Sequence, residues 1–253
     1  MIVCCHAHRH FLANKYARGA SFVVCCFCIV NPILGCTIQT SLNNKNSLQQ
    51  LGAGLGLNGV LAHHLAAESV VITDGDSDAL VELRKNIVVN RSTRSDECNG
   101  EDVPETPAAH EALSAAQLIW GLESSRAFLE SIHGASSSSS PPPPPSLSRF
   151  SMIIASDVIY AAIVIDPLWE TVRTLLRYPA GEFWMAFAVR KVPVTIEFVL
   201  QKAQEYGFRY ELVDKQSEGG GDDDDVEGNP ETGPVFIYVF RWYTEKQTEA
   251  IQK

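Results

Sequence analysis

The chain has 253 residues, 45% of them hydrophobic, with 20 basic against 30 acidic residues and a formal net charge of −10. That length suits one α/β domain with a core large enough to need no disulfides. The acidic balance argues against a nucleic-acid protein relying on overall positive charge, and the lack of any run of about 20 apolar residues argues against a normal spanning helix.

Residues 1–46 stand apart. No acid occurs before Glu68, so residues 1–67 carry only Arg9, Lys15, Arg18 and Lys45, a net +4 against −14 for the remainder. Cys4, Cys5, Cys25, Cys26, Cys28 and Cys36 also crowd this start, and only Cys98 lies beyond. A basic stretch before the apolar residues 22–30 (FVVCCFCIV) has the outline of a secretory signal or an organelle transit peptide. The competing expectation is a poorly ordered or wrongly predicted N-terminus. Cys25, Cys26 and Cys28 with His6, His8 and His10 invite a zinc reading. Their spacings lack the C-x2-4-C that lets each ligand reach a tetrahedron vertex, so no metal is expected. A body with one cysteine fits a reducing compartment.

The body, residues 47–243, reads as strands and helices in turn, followed by a tail at 244–253. Residues 51–61 (LGAGLGLNGVL) place Gly54, Gly56 and Gly59 in a G-x-G-x-x-G pattern, with Gly52 just before. Residues 69–74 (SVVITD) form a β-branched run ending at Asp74. Residues 77–90 carry Ala79, Leu80, Leu83, Ile87 and Val88 on one helical face, with Asp76 or Ser77 placed to cap the start. A polar insert follows at 91–112, then a short strand at 116–120. Serines and prolines in series make 134–148 an extended linker. Residues 150–156 read as a buried strand and 166–178 as a helix with Leu168, Val172, Leu175 and Leu176 in register. Residues 182–189 (strand), 194–206 (helix), 209–213 (strand) and 235–242 (strand) complete the series. Glycines and four successive aspartates mark 216–234 as a mobile loop. The alternation predicts a mostly parallel sheet with helices on both faces. No helix separates the last two strands, so they should pair antiparallel.

The glycine pattern predicts a tight turn after a strand, where missing Cβ atoms admit a ligand to the backbone and the next helix offers its N-terminus. Asp74, at the end of the next strand, is placed to accept ribose hydroxyl hydrogens. Neither feature separates a nicotinamide dinucleotide from S-adenosylmethionine.

Later segments do separate them. Residues 73–90, QLIWG (117–121), ASDVIYAAIVIDPLWETVRTLL (155–176) and FWMAFAVRK (183–191) occur in that order. Together they closely resemble the seven-β-strand protein-lysine N-methyltransferases that act on non-histone proteins (the lysine methyltransferase family 16 type). The most specific pieces are Asp157-Val158-Ile159-Tyr160, a D-x-x-Y, and Trp120-Gly121.

The resemblance implies a Rossmann-like class I methyltransferase fold, seven-stranded with the last strand antiparallel. S-adenosylmethionine would be the cofactor, and a lysine-bearing protein the partner. Nucleic acid and membrane are not expected, and a cytoplasmic or nuclear monomer is. Gly52, Ala53, Gly54 and Gly56 would line the methionine and ribose part of the cofactor, and Asp74 would hold the ribose. Trp120 would lie beside the adenine, and Ala155 would border the cofactor. Asp157 and Tyr160 would face the incoming lysine. Arg190 sits where relatives often carry a base.

Four departures stand out. Gln50 replaces a Glu that helps hold the cofactor's ammonium, so weaker binding is expected. Gln49 puts an amide where a buried strand wants an apolar side chain. Ser151 replaces an Asp, and the family's upstream Trp-bearing segment has no counterpart in residues 1–46. The alternatives are a methyltransferase of another substrate class or a catalytically impaired binding relative.

Overall fold

The computed structural model describes residues 47–65, 67–95, 112–134, 149–189, 192–216 and 234–244. Among them run β1 (Ser47–Leu51), α1 (Leu57–His64), β2 (Ser69–Asp74), α2 (Ser77–Ser95), β3 (Leu113–Gln117) and α3 (Leu122–Gly134). Then come β4 (Met152–Ser156), a 3-10 turn (Ala162–Val164), α4 (Ile165–Leu175), β5 (Glu182–Ala188), α5 (Ile196–Glu205), β6 (Phe208–Gln216) and β7 (Val235–Trp242).

The seven strands form one sheet in the order β3-β2-β1-β4-β5-β7-β6. β1 to β5 pair in parallel, and β7 runs antiparallel to both neighbours. That order and those directions make a Rossmann-like class I methyltransferase sheet, the fold expected from the sequence.

Period-two alternation sends successive side chains to opposite faces, and both faces are apolar because both are covered. Leu48, Val70, Ile72, Met152 and Ile154 share one buried cluster with Leu80 and Leu83 of α2 and Val60 of α1. Leu51, Ile153, Phe183, Met185 and Phe240 point the other way, into a cluster with α3, α4 and α5. Trp169 of α4 anchors that second face. It is fully buried, with its ring 4.9 Å from Phe240 and 5.7 Å from Phe183 in edge-on contacts.

Some boundaries differ from the expected ones. α2 continues to Ser95, five residues into the expected insert. β3 lies earlier than 116–120, because the chain leaves the sheet after Gln117 to carry Ile119 and Trp120 to the strand ends. α4 stops at Leu175, because Leu176 turns extended and bridges Phe150. α3 was not expected, although Ser125, Phe128 and Ile132 have helical spacing and Ser125 and Phe128 are buried. Residues 1–46 with their cysteines and histidines, Arg190, the tail beyond residue 244 and most of the three inserts lie outside the described residues. No helix among the described residues is long and apolar enough to cross a membrane.

Candidate functional site

β1 and β4 are neighbours whose connections leave to opposite sides of the sheet, and in open α/β sheets such a switch point opens a crevice at the strand C-termini. Here the crevice is a cleft of about 500 Å³, within the usual range for a small-molecule site. Gly52, Gly54, Asp74, Trp120, Asp157 and Tyr160 all line it. They come from the turns after β1, β2, β3 and β4, more than 100 residues apart along the chain.

The β1 turn is shaped by space as much as by dihedral angle. Gly52 has φ +56°, and a Cβ there would sit 2.8 Å from Val158 Cγ1 and 3.2 Å from Trp120 Cζ2. Gly56, at φ +81°, is the N-cap of α1, and a Cβ on it would overlap Leu83. The first places backbone on the cleft floor beside the indole. The second lets α1 start against α2.

Asp74 ties the turns together. Its Oδ2 accepts the Gly54 N–H at 2.7 Å, and its Oδ1 accepts the Asp76 N–H at 2.9 Å. Asn86 of α2 donates to the Leu55 carbonyl at 3.0 Å, which pins the tip of the glycine turn.

Asp157 follows β4 in the left-handed region, at φ +55°, and is the only non-glycine described residue there. Its backbone N–H donates to the Ala186 carbonyl at 2.9 Å, so β5 holds the turn. Its Oδ2 accepts the Tyr160 hydroxyl at 3.3 Å. Tyr160 is half exposed at the cleft rim, and Ile163 beside it is 83% exposed.

Three expected cofactor residues do not line the cleft. Ala53 N–H donates to the Thr73 carbonyl, and Gly56 N–H donates to the Ala53 carbonyl, so both shape the turn from behind. Ala155 is buried and borders a separate void of about 20 Å³, room for about one water.

The two glutamines of β1 face opposite sides. Gln50 is buried, and its Oε1 accepts the Gly59 N–H at 2.7 Å. α1 has no side-chain cap of its own, so Gln50 supplies the missing acceptor from the strand. It does not line the cleft. Gln49 is fully buried on the other face, and its amide reaches Thr73 Oγ1 only at 3.5 Å. Its Oε1 has no partner among the described residues.

The sequence reading missed Val158, Val164 and Pro167 in the lining. Val158 lies inside the D-x-x-Y, Val164 and Pro167 lie at the start of α4, and only that proximity could have marked them.

No family model matches the chain, and no curated protein matches it. Among solved structures it is similar to a ribosomal protein L11 methylase from Lactobacillus delbrueckii subsp. bulgaricus, at 16% identity and a TM-score of 0.46, covering 83% of this chain and 77% of that one. It is also similar to a precorrin-6y C5,15-methyltransferase from Geobacter metallireducens, at 10% identity and a TM-score of 0.46, covering 83% and 87%. A TehB-like SAM-dependent methyltransferase from Corynebacterium glutamicum gives 13% identity and a TM-score of 0.44, covering 82% and 86%. The fold identification rests on the strand order and directions given above.

Proposed function

We propose that the cleft binds S-adenosylmethionine and that the chain transfers its methyl group to a lysine side-chain amine of a protein. The observation that carries the cofactor reading is the charge of the lining. Among the described lining residues there are two carboxylates, Asp74 and Asp157, and no Lys or Arg. A dinucleotide would bring a pyrophosphate beside these carboxylates, and the Gly59 N–H at the α1 N-terminus is already taken by Gln50 Oε1. A sulfonium and an ammonium suit the carboxylates. The closely approached backbone at Gly52 and the indole of Trp120 supply the flat apolar contact an adenosine needs.

S-adenosylmethionine supplies a methyl group made electrophilic by its sulfonium. Asp74 is placed to accept from ribose hydroxyls while Gly54 and Asp76 orient its carboxylate. Asp157 and Tyr160 form an acceptor pair at the rim, which fits the D-x-x-Y resemblance and an incoming amine. That amine attacks only when neutral. Asp157 and Tyr160 orient its lone pair toward the methyl carbon, Asp157 takes the proton released, and S-adenosylhomocysteine leaves with the sulfur–carbon electron pair. One observation favours a weakened relative instead: Gln50 Oε1 is occupied by the Gly59 N–H, and β1 carries no carboxylate for the cofactor's ammonium.

Calorimetry with S-adenosylmethionine decides the first step, and absence of binding at millimolar cofactor sinks the enzyme reading. If it binds, labelled cofactor in a cell lysate followed by mass spectrometry of methylated residues identifies the acceptor. Methylation confined to metabolites, or lysine methylation by Asp157→Ala at the parent rate, removes the lysine assignment or the role of Asp157 respectively.

A further inference from the structure

We propose that Thr171 is a positioning residue for the cofactor side of the cleft, acting through Gly121 on Trp120; this rests on the methyltransferase reading. Thr171 lies on α4, 50 residues from Gly121 in sequence, and both it and Ser125 of α3 are fully buried. The Gly121 N–H donates to Thr171 Oγ1 at 2.8 Å. Ser125 Oγ lies 2.7 Å from the Gly121 carbonyl and 3.1 Å from Thr171 Oγ1.

Proton counting fixes how these contacts coexist. A carbonyl cannot donate, so the Ser125 proton goes to Gly121 O. With that proton committed, the contact between the hydroxyls uses the Thr171 proton. The result is a closed ring in which the Gly121 amide and carbonyl and both hydroxyls are each satisfied. The next amide, Leu122 N–H, donates to Glu170 Oε2 at 3.1 Å. Two consecutive side chains of α4 thus hold two consecutive amides directly after Trp120. The same helix begins beside Val164 and Pro167 of the cleft wall. The ring therefore sets the distance between the indole and the wall that carries Tyr160.

Removing the Thr171 hydroxyl leaves the half-buried Gly121 amide without its acceptor and frees the Trp120 loop. The groups proposed to orient the amine are untouched. Thr171→Val should raise the calorimetric Kd for S-adenosylhomocysteine by about 5- to 30-fold. Its kcat at saturating S-adenosylmethionine should stay near that of the parent, and Thr171→Ser, which keeps the hydroxyl, should restore the parent Kd. A Thr171→Val variant with a lowered melting temperature but an unchanged Kd overturns the proposal. A second readout needs no ligand: the Trp120 indole N–H signal, assigned with Trp120→Phe, and the exchange rate of the Gly121 amide. Both should change in Thr171→Val and recover in Thr171→Ser. If both stay fixed, the positioning role fails whatever binds. If they change while the parent binds no cofactor, the ring positions Trp120 and the methyltransferase reading alone has failed.

Discussion

β1 and β4 lie side by side in the sheet, in parallel, with Leu48 opposite Met152 and Leu51 opposite Ala155. Each ends in a left-handed turn at the cleft, Gly52 at φ +56° and Asp157 at φ +55°. The backbone problem is the same and the solutions differ. After β1 the position must be empty, because a Cβ would strike Val158 and Trp120. After β4 the position carries a carboxylate, so the conformational strain of a non-glycine residue is tolerated there, as is common at functional sites. The strands behind the turns differ too. β4 reads MIIAS, whereas β1 buries two amides, Gln49 and Gln50.

Four substitutions test this contrast, in falling order of effect. Asp157→Gly removes the carboxylate while easing the left-handed backbone. Methyl transfer should fall about 10²- to 10⁴-fold, with stability within about 1 kcal/mol of the parent; single-turnover assays and urea melts measure the two. Transfer near the parent rate would make Asp157 a turn former only. Gly52→Ala combines the cost of a left-handed alanine with overlap on the cleft floor. It should lose about 2–3 kcal/mol of stability and weaken cofactor binding, and a variant as stable as the parent would show that the turn has room to shift.

Gln50→Leu leaves the Gly59 amide buried without its acceptor, at about 1–3 kcal/mol. Urea denaturation reads this directly, and an unchanged midpoint would mean that α1 needs no cap from the strand. Gln49→Leu runs the other way. It replaces a buried amide whose oxygen has no partner among the described residues by an apolar side chain, so stability should rise by about 1 kcal/mol. A loss of similar size would reveal a contact that Gln49 makes beyond those residues.

The contrast also shows what the sequence carried. Strand runs such as SVVITD and VFIYVFRW are legible because alternation and β-branching are local signals. Asp74, Trp120, Asp157 and Tyr160 were legible as candidates through their motifs, and the fold brings them to one cleft. Gln50 was read as facing a ligand because its place in the motif is shared. Its burial and its partner nine residues on depend on how α1 lands against β1. The Gly121–Thr171–Ser125 ring joins positions about 50 residues apart, and no local pattern announces such a meeting. α3 went unseen because its apolar face is narrow and its sequence otherwise polar.

The placement of β7 has a consequence for synthesis. β7 follows every other strand in sequence, yet it sits between β5 and β6. Among the described strands β6 pairs only with β7, so it has no sheet to join until β7 emerges. β5 meanwhile presents an open edge with the sequence EFWMAFA, the kind of apolar edge that templates wrong pairing. β5 ends at Ala188 and β7 begins at Val235, so at about 5–20 residues per second that edge waits roughly 2–9 s on the ribosome. The chain is therefore most exposed to aggregation late in its synthesis, and chaperone contact should be sought on nascent chains stalled just before Val235.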